Sequence, residues 1–345
     1  MAFSKILIRA TNWVGDAVMS LPAIRAVRGR FPEAQIAVLA RPWVADLYAR
    51  ETAINRVIPY SAASGFRDLP AKLGAARTLR AEKFDCAILF QNAFEAAAIA
   101  RLAGIPRRIG YARDGRSALL TDPISVPKPG DIAPHQRFYY LELLRRAHLI
   151  DEIPKVDAIR LEGAEAAACE GRKRFESRGI ELPVIGVSPG AAYGNAKRWL
   201  PERFAQAALE VAGPCGGSVA VFGSAAEKEL CQLVADMIER AGVSATNLAG
   251  ETALHEFVEM AASCRVFLTN DSGAMHIASA VGVPTVAVFG ATDDTATGPT
   301  GPLARVVREP VECSPCLLRE CPIDHRCMTR VTAQQVSGAA LELLR

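Results

Sequence analysis

The 345-residue sequence lacks any apolar run approaching the roughly 18–20 residues that a membrane-spanning helix requires. Its start, MAFSKILIRA, does not have the layout of a secretory signal peptide, because its apolar run is short and leads directly into a polar loop. We therefore expect a soluble cytoplasmic protein. The sequence has no GxxxxGK[ST] motif, which argues against a P-loop nucleotidase. It has no GxGxxG after the first apolar run, which weakens a dinucleotide-dehydrogenase interpretation.

Aromatic residues are scarce, at 6% of the sequence, and the net charge is only +3. The charge is unevenly distributed: residues 1–150 contain 22 Lys and Arg against 12 Asp and Glu, whereas the remainder contains 18 against 25. A basic first half indicates an anionic partner, such as nucleic acid, a phosphorylated saccharide or an acidic membrane surface. Solvated surface arginines are the alternative. The scarcity of aromatic side chains disfavours base stacking and therefore nucleic acid.

The length predicts about two domains, and each half of the sequence repeats the order strand, loop, helix. Apolar runs predict strands in the first half that begin at KILIRA and continue at 35–40, 86–90 and 107–111, and in the second half at 184–188, 218–222, 266–269 and 285–289. Helical patterns lie between them, at 202–212, 225–241 and 254–262 in the second half. Alternating strands and helices predict an α/β fold with parallel sheets covered on both faces. Residues 154–183 are predicted to hold a helix and the link between domains.

In the second half, each of the four predicted strands ends in small or polar residues. The most informative of these endings is the turn at 270–273, Asn-Asp-Ser-Gly, which is followed by an alanine-rich helical stretch. Backbone N–H groups at a helix N-terminus bind phosphate readily. Ligands of open parallel sheets bind beyond the carboxyl ends of the strands. Together the four endings predict a nucleotide site, although each alone is also ordinary turn chemistry.

Three side chains near these endings are candidates for contacts with such a ligand. Lys197 lies between Gly190 and the next helix, where it is either a cation for a diphosphate leaving group or a surface charge. Glu227 is placed to accept hydrogen bonds from two ribose hydroxyls, or to stabilise a helix N-terminus. His276 faces the phosphates or packs in the core, and the second interpretation is slightly favoured.

In the first half, Asp16 is the strongest candidate for a catalytic residue, since it follows the first strand after Asn12-Trp13-Val14-Gly15. A carboxylate at this edge is suited to act as a general base on a sugar hydroxyl. The alternative is a residue that satisfies free N–H groups at the start of a helix. Ser20 and Pro22 predict a second helix start, which reduces the need for Asp16 as a cap.

Four of the nine cysteines form a cluster, and the other five are scattered and expected to be small buried residues. The spacing within the cluster allows a structural zinc site, reduced or redox-variable thiols, or a disulfide, with the first two favoured in a reducing cytosol. The cluster consists of Cys313, Cys316, Cys321 and Cys327.

Several segments in order along the chain resemble the lipopolysaccharide heptosyltransferases of glycosyltransferase family 9. They are NWVGDAVMSLPAIRAVR, PGAAYGNAKRW, FGSAAEKE, NLAGET and TNDSGAMHIASA. The resemblance implies a GT-B fold, in which two Rossmann-like doubly wound domains face a central cleft. It implies an inverting transfer of heptose from ADP-heptose to the heptosylated Kdo–lipid A inner core, where Kdo is an acidic sugar. The expected location is the cytoplasmic face of the inner membrane.

The resemblance also implies roles for individual residues. The proposed base falls on Asp16 and the phosphate-contacting lysine on Lys197, with no cofactor required. The ribose-binding glutamate falls on Glu227. Glu229 is two residues away, so a small shift in the alignment with the family would place the role there. The donor-binding set is Gly190, Lys197, Glu227, Asp271, Ser272, Gly273 and His276. The basic residues Arg107, Arg108, Arg113, Arg116 and Arg137 are expected near the acceptor, and the last three are the chosen acceptor-binding set.

We expect an acceptor-binding domain over residues 1–165 and an ADP-sugar-binding domain over 166–345, whose final helix is a candidate to pack back on the first domain. Enzyme alternatives are a related heptosyltransferase that acts earlier in the core, another ADP- or UDP-sugar GT-B enzyme, and a sugar-nucleotide epimerase. The non-enzyme alternative is a zinc-containing nucleic-acid-binding protein. It is weak, because the clustered cysteines lie in the acidic half of the chain.

Overall fold

The structure, a computed structural model, describes residues 3–63 and 67–345. The chain forms two compact units that divide between Val156 and Asp157. Each unit is built on one parallel β-sheet with helices that connect its strands. Both units therefore have the α/β architecture that the alternating pattern predicts.

In the described part of the first unit, six strands form the sheet. They are β1 (Lys5–Arg9), β2 (Gln35–Ala40), β3 (Arg56–Pro59), β4 (Cys86–Leu89), β5 (Arg107–Tyr111) and β6 (Asp122–Ile124). The helices of this unit are α1 (Val14–Arg30), α2 (Pro42–Ala49), α3 (Leu69–Glu82), α4 (Phe94–Leu102) and α5 (Gln136–Arg146). The central strands are nearly continuous apolar runs because helices cover both faces of a parallel sheet.

The second unit also has a six-stranded sheet. Its strands are β7 (Val184–Ser188), β8 (Ser218–Val221), β9 (Ala245–Asn247), β10 (Val266–Asn270), β11 (Thr285–Phe289) and β12 (Ala304–Arg308). Its helices are α6 (Ala164–Ser177), α7 (Pro201–Cys215), α8 (Lys228–Arg240), α9 (Leu254–Ala262), α10 (Gly273–Ala280), α11 (Asp294–Thr297), α12 (Arg326–Thr329) and α13 (Ala333–Leu343). The final helix α13 packs against α7, and its Val336 and Ala340 are buried in the core of this unit.

The two sheets share one doubly wound topology. The strand order is β3-β2-β1-β4-β5-β6 in the first sheet and β12-β11-β10-β7-β8-β9 in the second. The order reverses between β1 and β4, and again between β7 and β10. In such sheets the loops diverge at this switch point and leave a crevice beyond the carboxyl ends of the strands. The topology thus identifies one edge of each sheet as the place to look for a ligand site.

All eight strands predicted from apolar runs are present. The strands that the sequence did not predict are β3, β6, β9 and β12, which lie at or near the edges of the sheets. β3, β6 and β9 have only three or four residues, and β12 contains two arginines, so the apolar signal of these strands is weak. Helix α9 has the predicted bounds, while α7 and α8 differ from prediction at their ends.

The second helix start predicted at Ser20 and Pro22 is wrong. Helix α1 runs without interruption from Val14 to Arg30 and contains both residues. Ser20 is buried within it, and its hydroxyl donates to the carbonyl of Ala17 at 2.8 Å instead of capping a new helix. Asp16 therefore lies in the first turn of one long helix. Within the described ranges, no helix is long and apolar enough to cross a membrane.

Candidate active site

Asn270, at the end of β10, joins the loops at the switch point of the second sheet. Its side chain is fully buried, and Nδ2 donates to the carbonyl of Pro189 at 2.7 Å. Its Oδ1 accepts a hydrogen bond from the backbone N–H of Trp199 at 2.9 Å. Both ends of the loop that follows β7 are thereby attached to the end of β10. The amide fixes the position of the loop segment that carries Lys197.

Lys197 lies in this loop and forms an ion pair with Asp271, the first residue after β10. The Lys197 Nζ is 2.6 Å from Asp271 Oδ2, and the same oxygen accepts a hydrogen bond from Thr292 Oγ1 at 2.6 Å. The Asp271 side chain is buried and that of Lys197 is largely buried. Lys197 also lies over the ring of Tyr193, 5.0 Å from its centroid. The ammonium group therefore has a fixed position and a compensating charge.

Ser272 and Gly273 begin α10 directly beside this ion pair. Ser272 has an extended backbone, and its hydroxyl lies 3.2 Å from that of Thr269. The first N–H groups of an α-helix have no partner within the helix, and the helix dipole adds positive potential there. This end of α10 is suited to bind an anion. His276, one turn further along, is buried at 6% exposure, in line with the core interpretation.

Glu227 contacts the backbone that follows β7. Its Oε2 accepts hydrogen bonds from the N–H and the hydroxyl of Ser224, at 2.9 and 2.8 Å. Its Oε1 lies 3.7 Å from Arg198 and faces Gly190, where a Cβ would come within 2.1 Å of it. The carboxylate thus holds the start of the helix and also lies at the carboxyl edge of the sheet. Glu229 is exposed in the first turn of α8.

In the first unit, Asp16 is joined to a residue far along the chain. Tyr140, in α5, donates its hydroxyl to Asp16 Oδ1 at 2.9 Å. Burial and the nearby charge of Asp16 raise the pKa of Tyr140 well above its usual value. The phenol therefore stays protonated and remains a hydrogen-bond donor. Asp16 itself is half-buried.

The arginines proposed for the acceptor are placed very differently from one another. Arg113 is exposed at the surface beside Asp114, and Arg137 is half-buried at the start of α5. Arg116 is fully buried and donates to the carbonyls of Tyr111 and Gln91 and to Asn92. Burial lowers the pKa of Arg116 to about 10. Its contacts are those of a residue that supports the loops.

The other two basic residues of this group are also engaged within the first unit. Arg107 pairs with Asp122 at 2.7 Å. Arg108 donates to the carbonyls of Leu119 and Ile105. Both side chains hold β5 against neighbouring segments.

The four clustered cysteines do not come together as the zinc site that their spacing allows. All nine cysteines are free, and the described residues contain no group of three or more His, Cys, Asp or Glu side chains that could hold a metal ion. Burial and the neighbouring cysteines raise the pKa of Cys327. The structure thus supports neither the zinc nor the disulfide interpretation, and reduced thiols remain.

The segment that contains the cluster nevertheless packs against the edge of the second sheet. The carbonyl of Arg319 accepts a hydrogen bond from Ala196 N at 3.0 Å, and that of Leu317 accepts one from the Tyr193 hydroxyl at 2.9 Å. The Ser314 hydroxyl donates to the carbonyl of Gly290 at 2.6 Å. The segment therefore supports the loops after β7 and β11, including the one that carries Lys197.

Asn270 and Tyr140 are the functional residues to which the sequence interpretation gave no separate role. Asn270 was noted only as part of its turn, although an amide at a strand end is a recognisable local signal. Tyr140 lies 124 residues from Asp16, and nothing in the local sequence relates the two. A contact between residues this far apart in the chain can be identified only from the folded structure.

Comparison with known proteins identifies relatives over most of the chain. Residues 73–326 match the model of Glycosyltransferase family 9 (heptosyltransferase). The chain is 33% identical over 313 residues to Lipopolysaccharide heptosyltransferase 2 of Escherichia coli K12, covering 88% of both. It is 34% identical over 312 residues to Lipooligosaccharide heptosyltransferase 2 of Haemophilus influenzae, again covering 88% of both.

The fold agrees with these sequence matches. The solved structure of E. coli ADP-heptose LPS heptosyltransferase II aligns with a TM-score of 0.82 and 30% identity, covering 99% of this chain and 98% of that one. The two doubly wound α/β units confirm the GT-B fold class that the resemblance implied. The chain belongs to glycosyltransferase family 9, the heptosyltransferases.

Proposed function

We propose that this protein is an inverting heptosyltransferase of lipopolysaccharide core biosynthesis. It moves heptose from ADP-L-glycero-D-manno-heptose to the heptosylated Kdo–lipid A inner core. Family membership and relatives named heptosyltransferase 2, matched over 88% of the chain, support this function. The structural observation that carries it is the Lys197–Asp271 pair beside the N-terminus of α10, at the switch point of the second sheet.

The donor binds to the second unit in this proposal, consistent with an ADP-sugar-binding domain over residues 166–345. The diphosphate lies against the backbone N–H groups of Ser272 and Gly273, with Lys197 alongside. Glu227 accepts hydrogen bonds from the ribose, and the absence of a side chain at Gly190 leaves room for its carboxylate. These donors are positioned before the reaction, so they stabilise the charge that develops on the departing ADP.

Asp16 of the first unit is the general base. Its carboxylate accepts the proton of an acceptor hydroxyl while that oxygen attacks the anomeric carbon of the donor. The bond from this carbon to the diphosphate oxygen breaks, and ADP leaves with the bonding electrons. The attacking and leaving oxygens lie on opposite faces of the carbon, so the configuration inverts. Tyr140 holds the carboxylate in position through its hydrogen bond to Oδ1.

The acceptor is lipid-linked, and we therefore place the reaction at the cytoplasmic face of the inner membrane. The acceptor binds to the first unit, which makes up most of the acceptor-binding domain expected over residues 1–165, and its net positive charge suits the acidic sugars and phosphates of the core. Arg113 is accessible enough to contribute, and Arg137 is partly accessible. The reaction as written needs no metal ion, since protein donors stabilise the leaving diphosphate.

The direct test is product analysis. Purified protein is incubated with ADP-heptose and core acceptors that carry either no heptose or one heptose, and ADP release and product mass are measured. We expect one added heptose on the singly heptosylated acceptor and inverted stereochemistry at the new bond. Transfer only to the heptose-free acceptor would indicate the enzyme that acts one step earlier. Conversion of the donor sugar without transfer would indicate an epimerase and contradict the proposal.

A further inference from the structure

The first unit contains a cavity of about 420 Å³ at the switch point of its own sheet. Arg9 and Asn12, at and after the end of β1, line it together with Arg41 after β2 and Gln91 after β4. The first turns of α3 and α4 complete the wall and contribute apolar side chains, among them Leu69, Leu73, Phe94 and Ile99. Its size is typical of small-molecule sites. We call it the switch-point cavity.

The switch-point cavity has an excess of buried positive charge. Arg9, Arg41 and Lys72 are 3%, 5% and 6% exposed. Of the described residues that line the cavity, Glu95 is the only acid. Glu95 lies 2.9 Å from Lys72 Nζ and 3.8 Å from Arg41 Nη2, and it also accepts the hydroxyl of Tyr60. Glu95 thus pairs with two of the three buried cations. Uncompensated buried charge is strongly unfavourable, so this arrangement favours the binding of an anion.

The hydrogen bonds of the two guanidinium groups lead to the same conclusion. Arg9 donates to the carbonyls of Ala10 and Leu39 and to Asn12, while its Nε has no partner among the described residues. Arg41 donates to the carbonyl of Ala62, and its Nε is likewise without a partner within the described chain. Burial and the charge of Arg41 lower the pKa of Arg9 to about 10. Arg9 therefore has only neutral hydrogen-bond partners, and the ion pair of Arg41 with Glu95 is long, at 3.8 Å, although buried arginines are usually paired.

Two helix N-termini add to this positive potential. Lys72 lies in the first turn of α3, and α4 begins at Phe94, so both helices direct the positive ends of their dipoles towards the switch-point cavity. A lysine at the start of a helix is unfavourable unless a negative charge is close. Asp68, the N-cap residue of α3, and Glu95 carry negative charge at this end of the helix, and an anionic ligand would add to it.

We propose that the switch-point cavity binds a carboxylate or phosphate group carried by a sugar of the acceptor. The identity of the acceptor rests on the proposed function, whereas the anion site rests on the buried cations. The apolar part of the wall suits the C–H face of a sugar ring. The location also suits an acceptor, because Asn12 lines the cavity and α1, which carries Asp16, begins two residues later at Val14.

Equilibrium binding tests this inference without requiring activity. Isothermal titration calorimetry on the full-length protein compares Kdo, its neutral methyl ester and a hexose phosphate. We expect at least one of the two anions to bind at least about tenfold more tightly than the ester, since hydrogen bonds to charged groups are the stronger ones. The better anion identifies whether the recognised group is a carboxylate or a phosphate.

Three substitutions make the test specific. Arg41→Gln should weaken binding of the anion by about tenfold or more, whereas Glu95→Gln should strengthen it by at least about threefold, because it removes a competing negative charge. Arg77→Gln removes an exposed positive charge from the same helix α3 and should change the affinity by less than about twofold. Opposite effects of the first two variants cannot arise from general loss of folding.

Equal binding of the anions and the ester would overturn the inference, as would anion affinities unaffected by both Arg41→Gln and Glu95→Gln. ADP affinity, measured in parallel, should stay unchanged in all three variants, since the proposed donor residues lie in the second unit. If the protein bound the anion in this way but transferred no heptose, the proposed function would fail while the anion site would stand.

Discussion

Replacement of Gly190 by alanine tests whether Glu227 acts in donor binding. A Cβ at position 190 would lie 2.1 Å from Glu227 Oε1, whereas ordinary van der Waals contact begins at 3.4 Å. The backbone has little freedom to retreat, because Asn270 Nδ2 donates to the carbonyl of the preceding residue, Pro189, at 2.7 Å. The flexible carboxylate is therefore the part that moves.

The size of the effect follows from the hydrogen bonds that Glu227 loses when it moves. Oε2 accepts from the N–H and hydroxyl of Ser224 in a capping box, and loss of a cap costs about 1 kcal/mol. The melting temperature should fall by about 2–4 °C. A ribose hydroxyl bonded to a carboxylate contributes about 1.5–3 kcal/mol, so KM for ADP-heptose should rise by about 10- to 100-fold.

A double-mutant cycle separates this mechanism from a general disturbance. Donor KM is measured for Gly190→Ala, Glu227→Ala and the double variant, with thermal unfolding of each. We expect Gly190→Ala to add almost nothing once Glu227 is gone. Gly213→Ala is the matched control, since a Cβ there meets nothing within 4 Å and should leave KM unchanged. If Gly190→Ala raised donor KM equally in both backgrounds, Glu227 would not mediate its effect.

Four further predictions concern the base, the tyrosine bonded to it, the ion pair and the cysteines. Asp16→Asn should lower kcat by about 10²- to 10⁴-fold while ADP affinity stays unchanged, and near-normal turnover would exclude it as the base. Tyr140→Phe should shift the acid limb of the pH–rate profile to higher pH, because the charged carboxylate loses a hydrogen bond; an unmoved limb would assign Tyr140 to packing alone. Lys197→Met should lower stability by about 3–5 kcal/mol in urea unfolding and raise donor KM, and adding Asp271→Asn should restore stability but not KM. If the added substitution restored neither stability nor donor KM, or restored both, the result would contradict separate structural and donor-binding roles for the pair. A chelator should leave the melting temperature and kcat unchanged, and a loss of either with bound metal found by mass spectrometry would restore the metal interpretation of Cys313, Cys316, Cys321 and Cys327.

The donor side of the candidate site was largely predictable from the sequence. Parallel strands bring their carboxyl ends to one edge, so polar residues after successive apolar runs meet there even when they are far apart in the chain. Lys197 and Asp271 were both identified in this way, yet not as partners. Their ion pair depends on the path of the loop after β7, which Asn270 fixes through contacts across the sheet.

The acceptor side was less predictable, because net charge does not distinguish one arginine from another. Arg116 was expected to face a substrate and instead supports the backbone of neighbouring loops from a buried position. Arg9 and Arg41, which end or follow central strands, were not identified, although their places at the carboxyl edge of the sheet follow from the same rule as for Lys197. Their environment depends on the first turns of α3 and α4, and these come together only in the folded unit.

The donor site of the second unit and the switch-point cavity of the first unit differ in the net charge that they would present to a ligand. In the second unit, Lys197 is already neutralised by Asp271, so the pair offers little net charge to a diphosphate in the ground state. The helix N-terminus at Ser272 would then provide most of the initial attraction, and Lys197 would respond as charge accumulates on the leaving oxygen. In the first unit, Arg41 shares Glu95 with Lys72, and Arg9 has only neutral hydrogen-bond partners, so the three cations retain an excess of charge. A ligand there is held equally before and after the reaction, which suits positioning of the acceptor. Substitutions at Arg41 should therefore act on acceptor KM and those at Lys197 should also lower kcat, so steady-state kinetics on both variants can separate binding from leaving-group stabilisation.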